Sequence, residues 1–176
     1  MIISVEEAKT LIDFKEWTDA KIERKLKAIE KTIRAYTNNN FQNRAYRRTA
    51  DIFGGLFVCE ALAPFKVGDT VQISNSKYNS GLYTITAVTD ATFNAAEDVT
   101  DEENVLVTRI EYPEDVVDCA LNLLEWEINN RSKVGVQSET LSRHSVTYFA
   151  MDANNQAMGY PVSLLGALKP YRKVRF

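Results

Sequence analysis

The sequence predicts an α+β protein: a small helical bundle of two long helices plus short N- and C-terminal helices, with an inserted small antiparallel β-sheet or SH3-like barrel. Three observations predict it. Ile22, Leu26, Ile29, Ile33 and Tyr36 recur at alternating steps of four and three, which places one apolar stripe along a long helix. Val117, Ala120, Leu121, Leu124 and Ile128 form a second stripe, broadened by Val116 and Leu123. Between them, Val67–Ile73 and Leu82–Val88 alternate with a period close to two around a connection at Ser74–Gly81 rich in Asn, Ser and Gly, the pattern of a β-hairpin. Residues 1–55 and 113–176 therefore read as a helical core with a C-terminal tail, and residues 56–112 as an inserted β-module.

Each element has its own signal. Ser4 and Glu7 have capping-box spacing, which predicts a short helix from Val5 to about Ile12, broken by Asp13-Phe14. Thr18-Asp19 caps the first long helix, and the asparagines of Thr37–Asn40 end it. Its other face carries Lys21, Glu23, Arg24, Lys25, Lys27, Glu30, Lys31 and Arg34, the composition of a solvated face held by i,i+4 pairs, with a binding surface as the other use of such residues.

Phe41–Arg48 interleaves Arg44, Arg47 and Arg48 with Tyr46, and two readings of it stand. The segment contacts phosphate and stacks on a base, or it is an extended stretch whose tyrosine packs while the arginines face water. Leu56–Leu62 is strand-like, and Asn104–Tyr112 reads as a closing strand after the acidic stretch of Glu97, Asp98, Asp101, Glu102 and Glu103. That stretch lacks the glycine of a calcium loop and reads as a solvated surface loop. Four or five short strands between Leu56 and Tyr112 suggest a small curled sheet or barrel.

Pro113 at the first helical position, followed by Glu114 and Asp115, opens the second long helix, with Trp126 on its flank and Asn129-Asn130 and Gly135 at its end. Ser145–Phe149 is strand-like, Asp152–Ala157 a loop, and Pro161 starts a brief helix over Val162–Leu168 that Lys169-Pro170 stops. The basic, aromatic tail Tyr171–Phe176 falls outside the core so described.

Composition limits the function. In 176 residues the hydrophobic fraction is 45% and the charged fraction 26%, ordinary values that exclude disorder of the whole chain. A net charge of −3 gives no global footprint for nucleic acid or an anionic membrane. Cys59 and Cys119, far apart in apolar surroundings, fit buried free thiols of a reducing compartment. The N-terminus has no basic region followed by an apolar run, and no apolar stretch approaches the roughly 18–20 residues that cross a bilayer, so a soluble protein made in the cytosol is expected.

His144 is the sole histidine, and neither a phosphate-binding loop nor a Gly-x-Ser-x-Gly elbow occurs. The expectation is a protein that is no enzyme and holds no metal or cofactor.

Ser4–Tyr36 with Thr37–Phe41, the insert Lys66–Ser74 with Tyr78–Ile85, and Pro113–Val116 opening a long helix resemble head–tail connector proteins of long-tailed bacteriophages. Ser138–Tyr148 and Tyr160-Pro161 through Leu168–Phe176 resemble the variant typical of phages of Gram-positive bacteria. The resemblance spans nearly the whole chain, though the β-insert is larger than in the shortest family members, which are nearly all helical.

What the resemblance implies is a structural virion protein, the adaptor or head completion protein, located at the head–tail junction and assembled in the host cytoplasm. It forms a homo-oligomeric ring of about a dozen copies between the portal protein and a tail-side or stopper protein. The ring extends the DNA channel and gives tail proteins a docking surface; DNA passes through without specific binding, and no membrane is involved. Candidate portal, tail or subunit contacts are Tyr148, Phe149, Tyr171, Arg172, Lys173, Arg175 and Phe176, the hairpin-loop residues Asn75, Tyr78 and Asn79, and Trp126. The alternative is a nucleic-acid-binding module using Arg44–Arg48 and the β-module.

Overall fold

The structure, a computed structural model, describes residues 1–59, 65–131, 138–141, 144–147 and 155–174. Two compact units make up the chain: residues 40–111, and residues 1–39 with 112–176.

Residues 40–111 fold as a closed antiparallel barrel of six strands, β1 (Gln42–Phe53), β2 (Leu56–Cys59), β3 (Thr70–Ser74), β4 (Gly81–Val88), β5 (Thr92–Ala95) and β6 (Glu102–Ile110), in the order β1-β2-β5-β4-β3-β6. β1 and β2 are joined by Gly54-Gly55 at φ 56° and 83°, the paired left-handed conformation of a two-residue hairpin turn that glycine adopts without a Cβ penalty. Ile52 stands opposite Phe57 and Ala50 opposite Cys59, so these four side chains share the inward face. They meet Val71, Ile73, Ile85, Phe93, Val105 and Val107, and Phe57 stacks on Phe93 at 4.5 Å. The barrel has a filled interior, as small barrels do.

The predicted small helical bundle of two long helices is not what the chain forms, and that reading is corrected. The chain is an α+β protein with a closed six-stranded barrel, accompanied among the described residues by four helices of unequal kind: α1 (Val5–Leu11), α2 (Asp19–Thr37), α3 (Glu114–Asn130) and a 3-10 helix at Val162–Tyr171. Two physical reasons account for the difference. Gln42–Phe53, with three arginines and no clean alternation, is a twelve-residue strand that pairs with β2 on one side and β6 on the other. The C-terminal segment, with Pro170 inside it, winds as a 3-10 helix and adds no fourth α-helix to a bundle.

In the helical unit, Ser4 and Thr18 cap α1 and α2 by accepting from the Glu7 and Lys21 amides, and α2 buries Ile22, Leu26, Ile29 and Ile33. α3 is rotated from the expected face. It buries Val116, Cys119, Ala120, Leu123 and Leu124, and leaves Val117, Leu121 and Ile128 half-buried. Two short antiparallel pairs are also described: the hairpin of β7 (Ser138–Leu141) and β8 (His144–Thr147), and the pairing of β9 (Gln156–Ala157) with β10 (Tyr160–Pro161). β8 covers part of the stretch expected to be extended at Ser145–Phe149, of which Tyr148 and Phe149 lie outside the described residues.

The buried α3 face carries a carboxylate. Glu127, its side chain 2% exposed, accepts from Lys25 Nζ at 2.9 Å, Arg131 Nε at 2.9 Å and the Tyr160 hydroxyl at 2.8 Å. Burial opposes its ionisation most strongly, but the donors of Arg131, Lys25 and Tyr160 together outweigh burial and hold the carboxyl down at about 2. One residue of α2, two of α3 and its C-cap, and β10 are tied to one point.

Replacing Glu127 with alanine leaves three donors without their shared acceptor. Because Lys25 and Arg131 keep access to water, the expected loss is about 2–3 kcal/mol, below that of a fully buried pair, read from urea unfolding. The folded-state carboxyl lies below the ordinary 4.5, so its contribution is complete above that pH and declines as pH falls toward about 2; Glu127→Gln is expected to flatten that part of the stability profile.

Candidate interaction surfaces

The loop between β3 and β4 is held from beneath by one side chain. Glu102, the first residue of β6, accepts through Oε1 from the Lys77 amide at 2.5 Å and through Oε2 from Ser76 Oγ at 2.5 Å, Asn79 Nδ2 at 2.8 Å and the Tyr78 amide at 3.4 Å. The Ser76 hydroxyl and the Lys77 amide contribute most to holding its carboxyl at about 2 against the opposing effect of burial, and Asn79 and Tyr78 add smaller contributions. Asn75 sits at φ 54° with its amide on the Asn104 carbonyl, and Asn79, buried, exchanges two hydrogen bonds with the Thr100 backbone at 2.8 and 2.9 Å. The outcome is a rigid tip on which Tyr78 is 61% exposed, with Lys77 Nζ 4.9 Å from its ring centre.

The acidic stretch expected to be simply solvated has further anchoring duties. Asp101 Oδ1 accepts from the Gly54 amide at 2.8 Å, and Glu97 Oε2 from the Thr84 amide at 2.9 Å. Among the described residues no group of three or more His, Cys, Asp or Glu side chains is arranged to hold a metal ion.

Phe53, Leu56 and Val58 form a second surface on the barrel. The β1–β2 register sets Phe53 opposite Leu56 and Asp51 opposite Val58, all on the face away from the core. Phe53 is 50% exposed, Leu56 39% and Val58 40%.

The arginines proposed for nucleic acid are largely engaged within the barrel. Arg47 donates from Nε to Thr108 Oγ1 at 2.9 Å and from Nη2 to Gln42 Oε1 at 3.1 Å, Arg48 donates to the Arg47 carbonyl, and the Tyr46 ring lies under Arg109. Arg44 is exposed.

In the helical unit, Trp126 is half-buried, edge-on to Tyr160 at 5.5 Å with the Arg131 guanidinium 4.9 Å from its ring centre. The tail read as standing outside the core is fastened to the end of α2. The Lys173 amide donates to the Thr37 carbonyl at 2.8 Å, and Asn39 Nδ2 donates to the Tyr171 carbonyl at 3.3 Å. Asn38, the left-handed C-cap of α2, donates to the Lys173 and Val174 carbonyls. The Tyr171 hydroxyl donates to Asp115 at 2.8 Å, which raises its pKa, and Arg172 lies over the Tyr36 ring at 5.2 Å. Arg175 and Phe176 lie outside the described residues.

The candidates therefore form three groups: Asn75, Tyr78 and Asn79 in the barrel loop; Tyr171, Arg172 and Lys173 along the end of α2; and Trp126 beside Glu127. Sequence reasoning missed Phe53, Leu56, Val58 and Glu102. The first three had a signal in Phe-Gly-Gly-Leu, since a two-residue turn puts its flanking residues on one face. Glu102 had none, because its ligands arise from a loop more than twenty residues earlier.

Cys119 Sγ lies 3.2 Å from the Leu164 carbonyl with its thiol pushed up to about 11 by burial and Asp115, and Cys59 is likewise raised by burial. Both are buried and free. No protein-family model matches the chain, and no curated protein matches it.

If Glu102 is the anchor of the loop tip, Glu102→Gln should speed hydrogen exchange at the Lys77 amide several-fold while leaving the barrel strands protected. In the native chain the same protection should hold from neutral pH to about 4.5 and be lost as pH falls toward about 2, because the folded carboxyl titrates below its ordinary value.

Proposed function

We propose that this chain is a structural subunit of the head–tail junction of a long-tailed bacteriophage, one copy in a ring between the portal protein and a tail-side or stopper protein. The resemblance of its helical segments and its insert to head–tail connectors supports the reading. One structural observation carries it: both units expose apolar side chains that their own cores do not use. On the barrel these are Phe53, Leu56, Val58 and Tyr78; in the helical unit they are Leu11, at 61% exposure, and the half-buried Val117, Leu121 and Ile128 of α3. Such residues suit a protein whose final burial takes place in an assembly.

A closed ring of identical subunits needs two different complementary surfaces on each copy, and surfaces on two separate units meet that need. The net charge of −3 suits a channel through which DNA slides, since a basic lining would retain it in a salt-dependent manner.

The test is to mix the purified chain with purified portal rings and follow co-sedimentation and negative-stain images. An added layer of density at one end of the portal is expected at micromolar concentrations. Failure to bind under those conditions removes the connector reading, and tight, salt-sensitive binding to DNA alone would favour a nucleic-acid module instead.

A further inference from the structure

The apolar face at Phe53, Leu56 and Val58 has surroundings of one dominant sign. The register places Ile52 opposite Glu102, and the Gly54 amide is bound by Asp101, so the Gly54-Gly55 turn and the acidic stretch share one end of the barrel. Asp98, Asp101 and Glu103 are exposed there. Residues 40–111 carry six Lys and Arg against ten Asp and Glu, four negative charges net, whereas the rest of the chain carries fifteen against fourteen, one positive charge net. The barrel is closed, so none of its six strands offers a free edge for strand addition. A partner must meet this face through side chains.

A surface of complementary character is present on α2. Arg24, Ala28, Lys31 and Ala35 are exposed at steps of four, three and four, on the side of the helix turned away from the buried Ile22, Leu26, Ile29 and Ile33, beside Lys27, which is paired with Glu23 at 2.8 Å. The alanines keep the ridge low between its cations. Aromatic and aliphatic side chains can therefore approach the helix while the flanking Arg and Lys reach the carboxylates around them.

We propose that the Phe53–Leu56–Val58 face of one copy docks on the Arg24–Ala35 ridge of α2 in a second copy. This rests on the ring assembly proposed above and names the contact through which neighbouring copies meet. The contact is heterologous, with each copy giving its barrel face to one neighbour and its ridge to the other. Apolar burial supplies its centre, and the opposite charges set its register and its salt dependence.

Sedimentation velocity of the purified full chain at about 50 mM and about 500 mM NaCl tests it. Four proteins are compared: the wild type, a face variant (Phe53→Ser with Leu56→Ser), an acidic-rim variant (Asp98→Lys with Glu103→Lys) and a ridge variant (Arg24→Glu with Lys31→Glu). All replaced side chains are exposed, and far-UV circular dichroism checks that each variant keeps its fold.

The wild type is expected to self-associate more strongly at low salt, and each variant to associate at least about tenfold more weakly. An equimolar mixture of the acidic-rim and ridge variants, whose altered charges again oppose, is expected to recover association that neither shows alone. Variants that associate like the wild type, a mixture no better than its components, or a wild type that stays monomeric at low salt overturns the contact. Portal binding is read separately on the same proteins. If it persists while self-association ignores all three variants, the contact fails and the connector reading stands; if the wild type itself does not bind portal, the connector reading fails.

Discussion

Because β1 pairs with β6 along much of its twelve residues and with β2 on its other side, the sheet closes, and Gln42 is brought opposite Ile110. The Glu111 amide then donates to the Phe41 carbonyl at 3.0 Å, so the chain enters and leaves the barrel at adjoining points. This permits residues 1–39 and 112–176 to form one compact unit although 72 residues of sequence separate them. An insert with distant ends would have pulled α2 and α3 apart. The same pairing joins residues about sixty positions apart, so the barrel forms only when a large loop has closed, and its filled core of Phe57, Phe93 and their neighbours must offset that entropy.

How much of this was legible in the sequence depended on whether the signal was local. The caps at Ser4 and Thr18, the α2 stripe from Ile22 to Ile33 and the hairpin of β3 and β4 rest on local patterns and are found there, although Tyr36 is only half-buried and β3 starts at Thr70, leaving Val67 exposed. β1 was legible only as an extended stretch over Phe41–Arg48; its length and its two partners were not, because its arginines mask the alternation, so the sheet could not be seen to close and the helical bundle appeared to be the frame. The face of α3 was misjudged for a related reason. Apolar residues surround most of that helix, and the face it buries includes Glu127, a residue that polarity alone would place in water. The tail was misplaced because it is held through its own backbone groups, by the Thr37 carbonyl and the Asn38 and Asn39 side chains, and backbone groups leave no mark on the composition of Tyr171–Lys173.

Glu127 and Glu102 have the same depressed carboxyl and opposite surroundings. At Glu127 burial works against the charge, and three converging donors keep it ionised, so the residue ties α2, α3 and β10 together. At Glu102 burial is outranked by the Ser76 hydroxyl and the Lys77 amide, and with a side-chain amide and a second backbone amide these fix a surface loop. The first is important to the integrity of its unit, while the second shapes a surface and leaves the core of its unit to apolar packing.

That distinction bears on association. A long exposed loop carrying Tyr78 would ordinarily lose conformational freedom on docking, at a cost of about 0.5–1.5 kcal/mol for each side chain immobilised, with backbone ordering in addition. Here the backbone of Ser76–Asn79 is already held by Glu102, the Gly54-Gly55 turn by Asp101, and the tail as far as Val174 by Asn38. Surfaces fixed in advance bind with less entropic loss and in fewer orientations. In the ring assembly proposed above the second consequence matters more, since a small spread of contact angles would give open chains of copies where closure is needed.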